Sequence, residues 1–171
     1  GADDMRRCPA AYDWAVKKLC TLVLIASSLH AEDWAQFRGV NGSGVSPSKN
    51  LPQEFSAEKN IAWKARLGDG VGSAIIKDGV VYATGMAGEA RVALHALDAA
   101  TGAPKWRAEF ETGTLPRITP PNSHAASTPA TDGERVYVHF STIGLLAFDS
   151  ATGKEVWRHS LPRPAYLMDW G

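Results

Sequence analysis

One passage of this chain occurs twice, and that repetition limits the fold more than any other feature. Ser73-Ala74-Ile75-Ile76-Lys77-Asp78-Gly79-Val80-Val81-Tyr82 leads, after a gap, to Ala96-Leu97-Asp98-Ala99-Ala100-Thr101-Gly102-Ala103-Pro104-Lys105-Trp106. Ser127-Thr128-Pro129-Ala130-Thr131-Asp132-Gly133-Glu134-Arg135-Val136-Tyr137 leads in the same order to Ala147-Phe148-Asp149-Ser150-Ala151-Thr152-Gly153-Lys154-Glu155-Val156-Trp157. The tryptophans lie 51 residues apart and the Asp-Gly pairs 54. A period of roughly 40–50 residues belongs to small units that stack on copies of themselves, the spacing of propeller blades.

Each copy carries the punctuation of a four-stranded antiparallel sheet. Asp78-Gly79 and Asp132-Gly133 are tight-turn dipeptides. Val80 to Thr84 and Arg135 to Phe140 follow as β-branched and aromatic strands. Loops at Gly85 to Glu89 and Ser141 to Gly144 lead into third strands, Val92 to Leu97 and Leu145 to Phe148, which are apolar at nearly every position. Such continuity is expected of strands covered on both faces. Turns opened by Asp98 and Asp149 and closed by Thr101-Gly102 and Thr152-Gly153 precede a fourth strand that carries Trp106 or Trp157. A lone sheet with two apolar faces cannot shield both from water, whereas blades packed around an axis can. Trp106 is therefore expected to be well buried in the wedge between neighbouring sheets.

The repeated Ala-x-Asp-x-x-Thr-Gly-x-x-x-Trp, at Ala96 to Trp106 and Ala147 to Trp157, resembles the tryptophan-docking motif of pyrroloquinoline-quinone-like (PQQ-like) propeller repeats. In that family the motif ties blades together and takes no part in catalysis. Asp33-Trp34-Ala35-Gln36-Phe37-Arg38-Gly39, with Asn41-Gly42-Ser43-Gly44, resembles a leader that follows the signal in secreted members, and Asn60 to Ala65 looks like a fourth strand without its preceding three. The resemblance implies an all-β fold: a partial β-propeller of about two four-stranded blades, at about 72–110 and 124–161, plus an N-terminal strand that closes the ring. It also implies a ring of seven or eight blades, of which this chain supplies about two, with a third expected to begin at Met168-Asp169-Trp170-Gly171.

Residues 1–31 read as an export signal, 32–59 as the leader and 60–171 as the incomplete propeller. Arg6-Arg7 and Lys17-Lys18 precede the apolar run Leu19 to Ala26, and Ser27-Ser28-Leu29-His30-Ala31 follows. Cleavage after Ala31 is expected, with Ser28 the alternative. The apolar core is about half what a membrane-spanning helix needs, so no transmembrane anchor is expected. The mixed stretch around Tyr12-Asp13-Trp14 also fits an amphipathic or buried N-terminal helix. Cys20 follows Lys18-Leu19 rather than a lipid-attachment consensus, and both cysteines, Cys8 and Cys20, would leave with the signal. Exported proteins need carry no disulfide. The expected location is the periplasm or the extracellular space. A net charge of zero with 18 basic and 18 acidic residues offers no attraction to nucleic acid.

No catalytic or metal-binding constellation emerges, and no cofactor-binding residue can be named. His30, His95, His124, His139 and His159 lack close metal-ligand spacing, and His95 and His139 fall on expected strands, where structural roles prevail. Asp78, Asp98, Asp132 and Asp149 are explained by turn geometry. Gly39 to Gly44 is glycine-rich yet lacks the Gly-Lys-Ser/Thr ending of a phosphate loop. The best candidate is the long loop Glu111 to Ala126, where Arg117, Asn122, Ser123 and His124 could face the propeller mouth and bind a ligand. A proline-stiffened linker between blades is the plainer reading of the same residues.

Two functions follow from the resemblance. One is an exported, non-catalytic scaffold similar to the propeller of the outer-membrane barrel-assembly machinery, without cofactor, meeting a protein or small-molecule ligand at its face. The other is a piece of a quinoprotein dehydrogenase, for which the family implies PQQ and calcium in the central funnel. The dehydrogenases commonly carry a vicinal disulfide near the cofactor, and no adjacent cysteine pair occurs here. Fold alone does not confer activity, so the scaffold is favoured. A sensor or docking domain within a larger exported protein is a third form of the first reading.

Overall fold

The computed structural model describes residues 33–49 and 51–162. The expected signal and the expected start of a third blade lie outside the described residues. Within them the chain forms two four-stranded antiparallel sheets, each strand paired with the next in sequence. The first contains β1 (Ile75–Lys77), β2 (Val80–Met86), β3 (Arg91–Asp98) and β4 (Pro104–Glu111). The second contains β5 (Ala130–Thr131), β6 (Arg135–Phe140), β7 (Gly144–Asp149) and β8 (Glu155–His159). The fold is thus all-β, with two sheets of propeller-blade construction.

The repeat extends to the residue pairing. Tyr82, Ala96 and Trp106 stand in one row across the first sheet, and Tyr137, Ala147 and Trp157 in the matching row of the second. Both sheets shift register at the same place, between Ala96 and Leu97 and between Ala147 and Phe148. Period-2 alternation then sorts the faces. Ile75, Tyr82, Val92, Leu94 and Ala96 of the first sheet pack against Val136, Val138, Phe140, Leu146 and Phe148 of the second, all buried. Phe110 extends this core, its ring 5.5 Å from that of Phe148 and 6.4 Å from that of Phe140. Opposite faces of equivalent sheets meet, so the packing is head to tail and repeatable.

Three expectations need correction. Gly85 and Met86 belong to β2 rather than to a loop, because they continue the ladder opposite Ala93 and Val92. The two Asp-Gly hairpins differ. Asp78 and Gly79 both take positive φ, 49° and 73°, and make a two-residue turn. The second loop is one residue longer, Asp132 to Glu134, and the Asp132 carboxylate caps it by accepting from the amides of Glu134 and Arg135 at 2.9 and 2.7 Å. Finally, residues 60–66 carry no strand pairing. A ladder needs a neighbour, and no described strand runs beside this segment, although its tryptophan docks as a fourth-strand tryptophan would.

The leader takes a place that its sequence did not disclose. Trp34 forms an antiparallel bridge with Ile76 of β1, its amide donating to Ile76 O at 2.7 Å and its carbonyl accepting from Ile76 N at 3.0 Å. The next residue reaches the other sheet, where the Thr131 amide donates to Ala35 O at 2.9 Å. Asp33 anchors the attachment: one carboxylate oxygen meets Lys77 Nζ at 2.6 Å and the other accepts from the Asp78 amide at 2.9 Å.

Candidate functional site

The repeated motif builds a seat for an indole. Asp98 Oδ1 accepts from the Thr101 amide at 2.9 Å, the Thr101 hydroxyl at 2.8 Å and the Ala100 amide at 3.1 Å, folding the turn onto itself. Asp149 does the same with the Thr152 amide and hydroxyl, at 2.8 and 2.6 Å. These bonds, the threonine hydroxyl foremost, hold both carboxyls below their ordinary range. Gly102 and Gly153 end the turns at φ of 73° and 69°.

The bare α-carbon of each glycine is where an indole from the preceding segment lies. A Cβ on Gly153 would sit 2.5 Å from Trp106 Cδ2, and one on Gly102 would sit 2.5 Å from Trp63 Cδ2. Trp106 Nε1 donates to Ser150 O at 2.9 Å, and Trp63 Nε1 donates to Ala99 O at 2.9 Å. The two seats are the same construction used twice, each tryptophan serving the following turn rather than its own. Trp106 is half-buried, less than expected of a wedge residue, with the Tyr82 ring 5.7 Å and the Phe148 ring 6.5 Å from its own. Trp157 is 37% exposed and contacts Tyr137 across its own sheet, with ring centroids 6.1 Å apart.

The loop 111–126 leads into a close backbone packing. Gly68, Gly70 and Gly72 precede β1, and their spacing leaves one side of an extended segment without side chains. A Cβ on Gly72 would lie 2.6 Å from Ser127 O, and one on Gly70 3.2 Å from Ala125 O. Thr84 Oγ1 donates toward Ser127 O at 2.8 Å and toward Ala125 O at 3.2 Å, and the Ser73 amide donates to Thr128 Oγ1 at 3.0 Å. The residues leading into the second sheet are thereby laid against those leading into the first. The glycine alternation was visible in the sequence and was missed, because glycine there has no apolar period to announce it.

This packing decides the fate of the expected polar cluster. Ser123 is 6% exposed, its hydroxyl accepting from the Ala125 amide at 3.2 Å and pointing to Asp69 O at 3.5 Å. It shapes the loop rather than facing a ligand. Arg117 and Asn122 are exposed and His124 is half-buried. The structure therefore does not gather the four side chains into one site. His139 lies on β6 on the outward face of the second sheet, and His95 is buried on β3. Among the described residues no three His, Cys, Asp or Glu side chains converge as metal ligands. The carboxylates of Asp98 and Asp149 already accept bonds within their own turns.

The chain matches the PQQ_2 family, described as outer membrane protein assembly factor BamB, over residues 55–170. Among solved structures it is similar to a europium-containing methanol dehydrogenase, with 24% identity, a TM-score of 0.36, and coverage of 52% of this chain and 15% of that one. It is also similar to a quinohemoprotein alcohol dehydrogenase from Pseudomonas putida HK5, with 25% identity, a TM-score of 0.36, and coverage of 51% and 12%. No curated protein matches the chain. Two stacked four-stranded sheets joined by a docked indole define a segment of a PQQ-like β-propeller. The chain belongs to the PQQ_2 repeat family.

Proposed function

We propose that the protein is an exported, non-catalytic propeller that serves as a binding or assembly scaffold, its loops meeting a protein or small-molecule ligand in the periplasm or outside the cell. The observation that carries this reading is the Trp106 seat. The repeated residues Asp149, Thr152, Gly153 and Trp106 are all engaged in joining one sheet to the next. Residues engaged in that way build a rigid platform, and rigid platforms with variable loops are how repeat folds present binding surfaces. The description of the matched family as an assembly factor supports the same reading.

The test uses the full exported protein in its host. A photo-cross-linker placed at the exposed Pro116 should trap one defined partner, and changing Arg117 and Asn122 to alanine should abolish the adduct while leaving the melting temperature unchanged. Dye-linked oxidation of alcohols or sugars after addition of PQQ and calcium would instead establish the dehydrogenase.

A further inference from the structure

One short segment fills matching positions on the edges of both sheets. β1 and β5 are the first strands of their sheets and stand at the edge. Ile76 pairs with Val81, next to Tyr82, and Thr131 pairs with Val136, next to Tyr137. Tyr82 and Tyr137 lie opposite Ala96 and Ala147, so Ile76 and Thr131 are the same position in the two copies. The leader bonds both. The Ile76 amide donates to Trp34 O at 3.0 Å and its carbonyl accepts from Trp34 N at 2.7 Å, while the Thr131 amide donates to Ala35 O at 2.9 Å. These are main-chain contacts, the means by which an extended peptide adds to an open sheet edge.

Charge selects what the edges take. Lys77 Nζ lies 2.6 Å from Asp33 Oδ2, and the Asp78 amide donates to Asp33 Oδ1 at 2.9 Å. Together they form a notch for one carboxylate at the first hairpin. In the second hairpin the amides of Glu134 and Arg135 bond the carboxylate of Asp132, in the same loop. In the first, the carboxylate that meets the loop amide comes from outside the hairpin. The segment that supplies it is folded largely upon itself. The Trp34 indole covers Gly39, where a Cβ would lie 2.4 Å from Trp34 Cε3, and the Gln36 side chain donates to Gly39 O at 3.0 Å. Phe37 and Val40 are exposed. Farther on, the Ser56 amide bonds Lys59 O at 3.1 Å and the Asn60 side chain bonds Glu54 O at 2.6 Å, both within the connection to the first sheet.

We propose that the edges at Ile76 and Thr131, with the Lys77 and Asp78 notch, are a docking site for an extended peptide of a partner protein that carries an acidic residue directly before the residue pairing with Ile76. Residues 33–35 are the resident occupant, displaced when such a partner binds. This surface is separate from the loop 111–126, so cross-linking at that loop can fail while the edges still take a peptide, and the reverse.

The probe is a fluorescent synthetic peptide of residues 33–44, added to the full chain. A tethered leader competes at an effective concentration of about a millimolar, so the wild-type chain should take up little peptide. Asp33→Asn leaves the notch intact and weakens the resident segment, and should bind the peptide about tenfold more tightly than wild type. Adding Lys77→Met should abolish that gain, as should a peptide with Asn in place of its Asp. Amide hydrogen exchange locates the binding: Ile76, Asp78 and Thr131 should exchange about tenfold faster in Asp33→Asn and recover when the peptide saturates, with Leu94 and Val138 unchanged. If Asp33→Asn keeps its leader seated, Trp34→Pro, which lacks the N–H that bonds Ile76 O, should release it and give the same results. Protection that persists in both variants would overturn the proposal, because the leader would not be displaceable. So would failure of the peptide to bind a chain whose three amides have opened, or binding indifferent to Lys77→Met. A wild-type dimer that Asp33→Asn abolishes would give the site to the leader of a second copy and overturn a separate partner.

Discussion

Trp106 and Trp157 occupy the same register position in two sheets built from the same motif, opposite Ala96 and Ala147, yet only one is seated. Trp106 rests on Gly153 and bonds Ser150 O. Trp157 has its own Tyr137 beside it and solvent over much of its ring. The residue type and its strand are identical, and the difference is that among the described residues no turn follows Trp157 to receive its indole. In a protein of stacked repeats the stabilising role of a motif residue is realised in the next unit, and a single copy leaves it idle.

The contrast can be broken by substitution. Trp106→Ala should cause the largest loss, about 3 kcal/mol by chemical denaturation, at the low end of buried Trp truncations because the ring is half-buried. A loss below about 1 kcal/mol would mean the seat contributes little. Gly153→Ala should follow at about 2 kcal/mol, combining the left-handed backbone cost with the collision against the indole. Gly79→Ala sharpens this, since Gly79 has a similar φ of 73° but open space around its Cβ position. The two glycine variants should differ, and the difference should vanish in a Trp106→Ala background, the signature of direct coupling. The smallest loss should come from Trp157→Ala, about 1 kcal/mol or less in this chain. A cost equal to that of Trp106 would show that Trp157 is seated in solution.

The comparison also explains how much was legible beforehand. Strand order and the inward third strands follow from alternation and Asp-Gly punctuation, which are local signals, and the structure bears them out, while it moves the loop expected at Gly85 and lengthens the second hairpin. The partner of each tryptophan was not legible. Trp106 and Gly102 sit in one motif, but the glycine that receives Trp106 is Gly153, in the next copy, and no local pattern states that pairing. Gly68, Gly70 and Gly72 escaped notice because close backbone approach leaves no side chains to read. The cluster of Arg117, Asn122, Ser123 and His124 was inferred from nearness in sequence. Ser123 turned inward because the loop's own amides needed an acceptor.

The attachment of Asp33 to Ala35 has a consequence for how the molecule comes apart. In a row of stacked units each interface breaks by itself, and damage at one end need not reach the other. Here three consecutive residues grip both sheets, through Ile76 on one side and Thr131 on the other. Peeling them away loosens two units in a single event. The front of the chain therefore acts as a rivet through two plates, making their melting more cooperative than their shared interface alone would dictate.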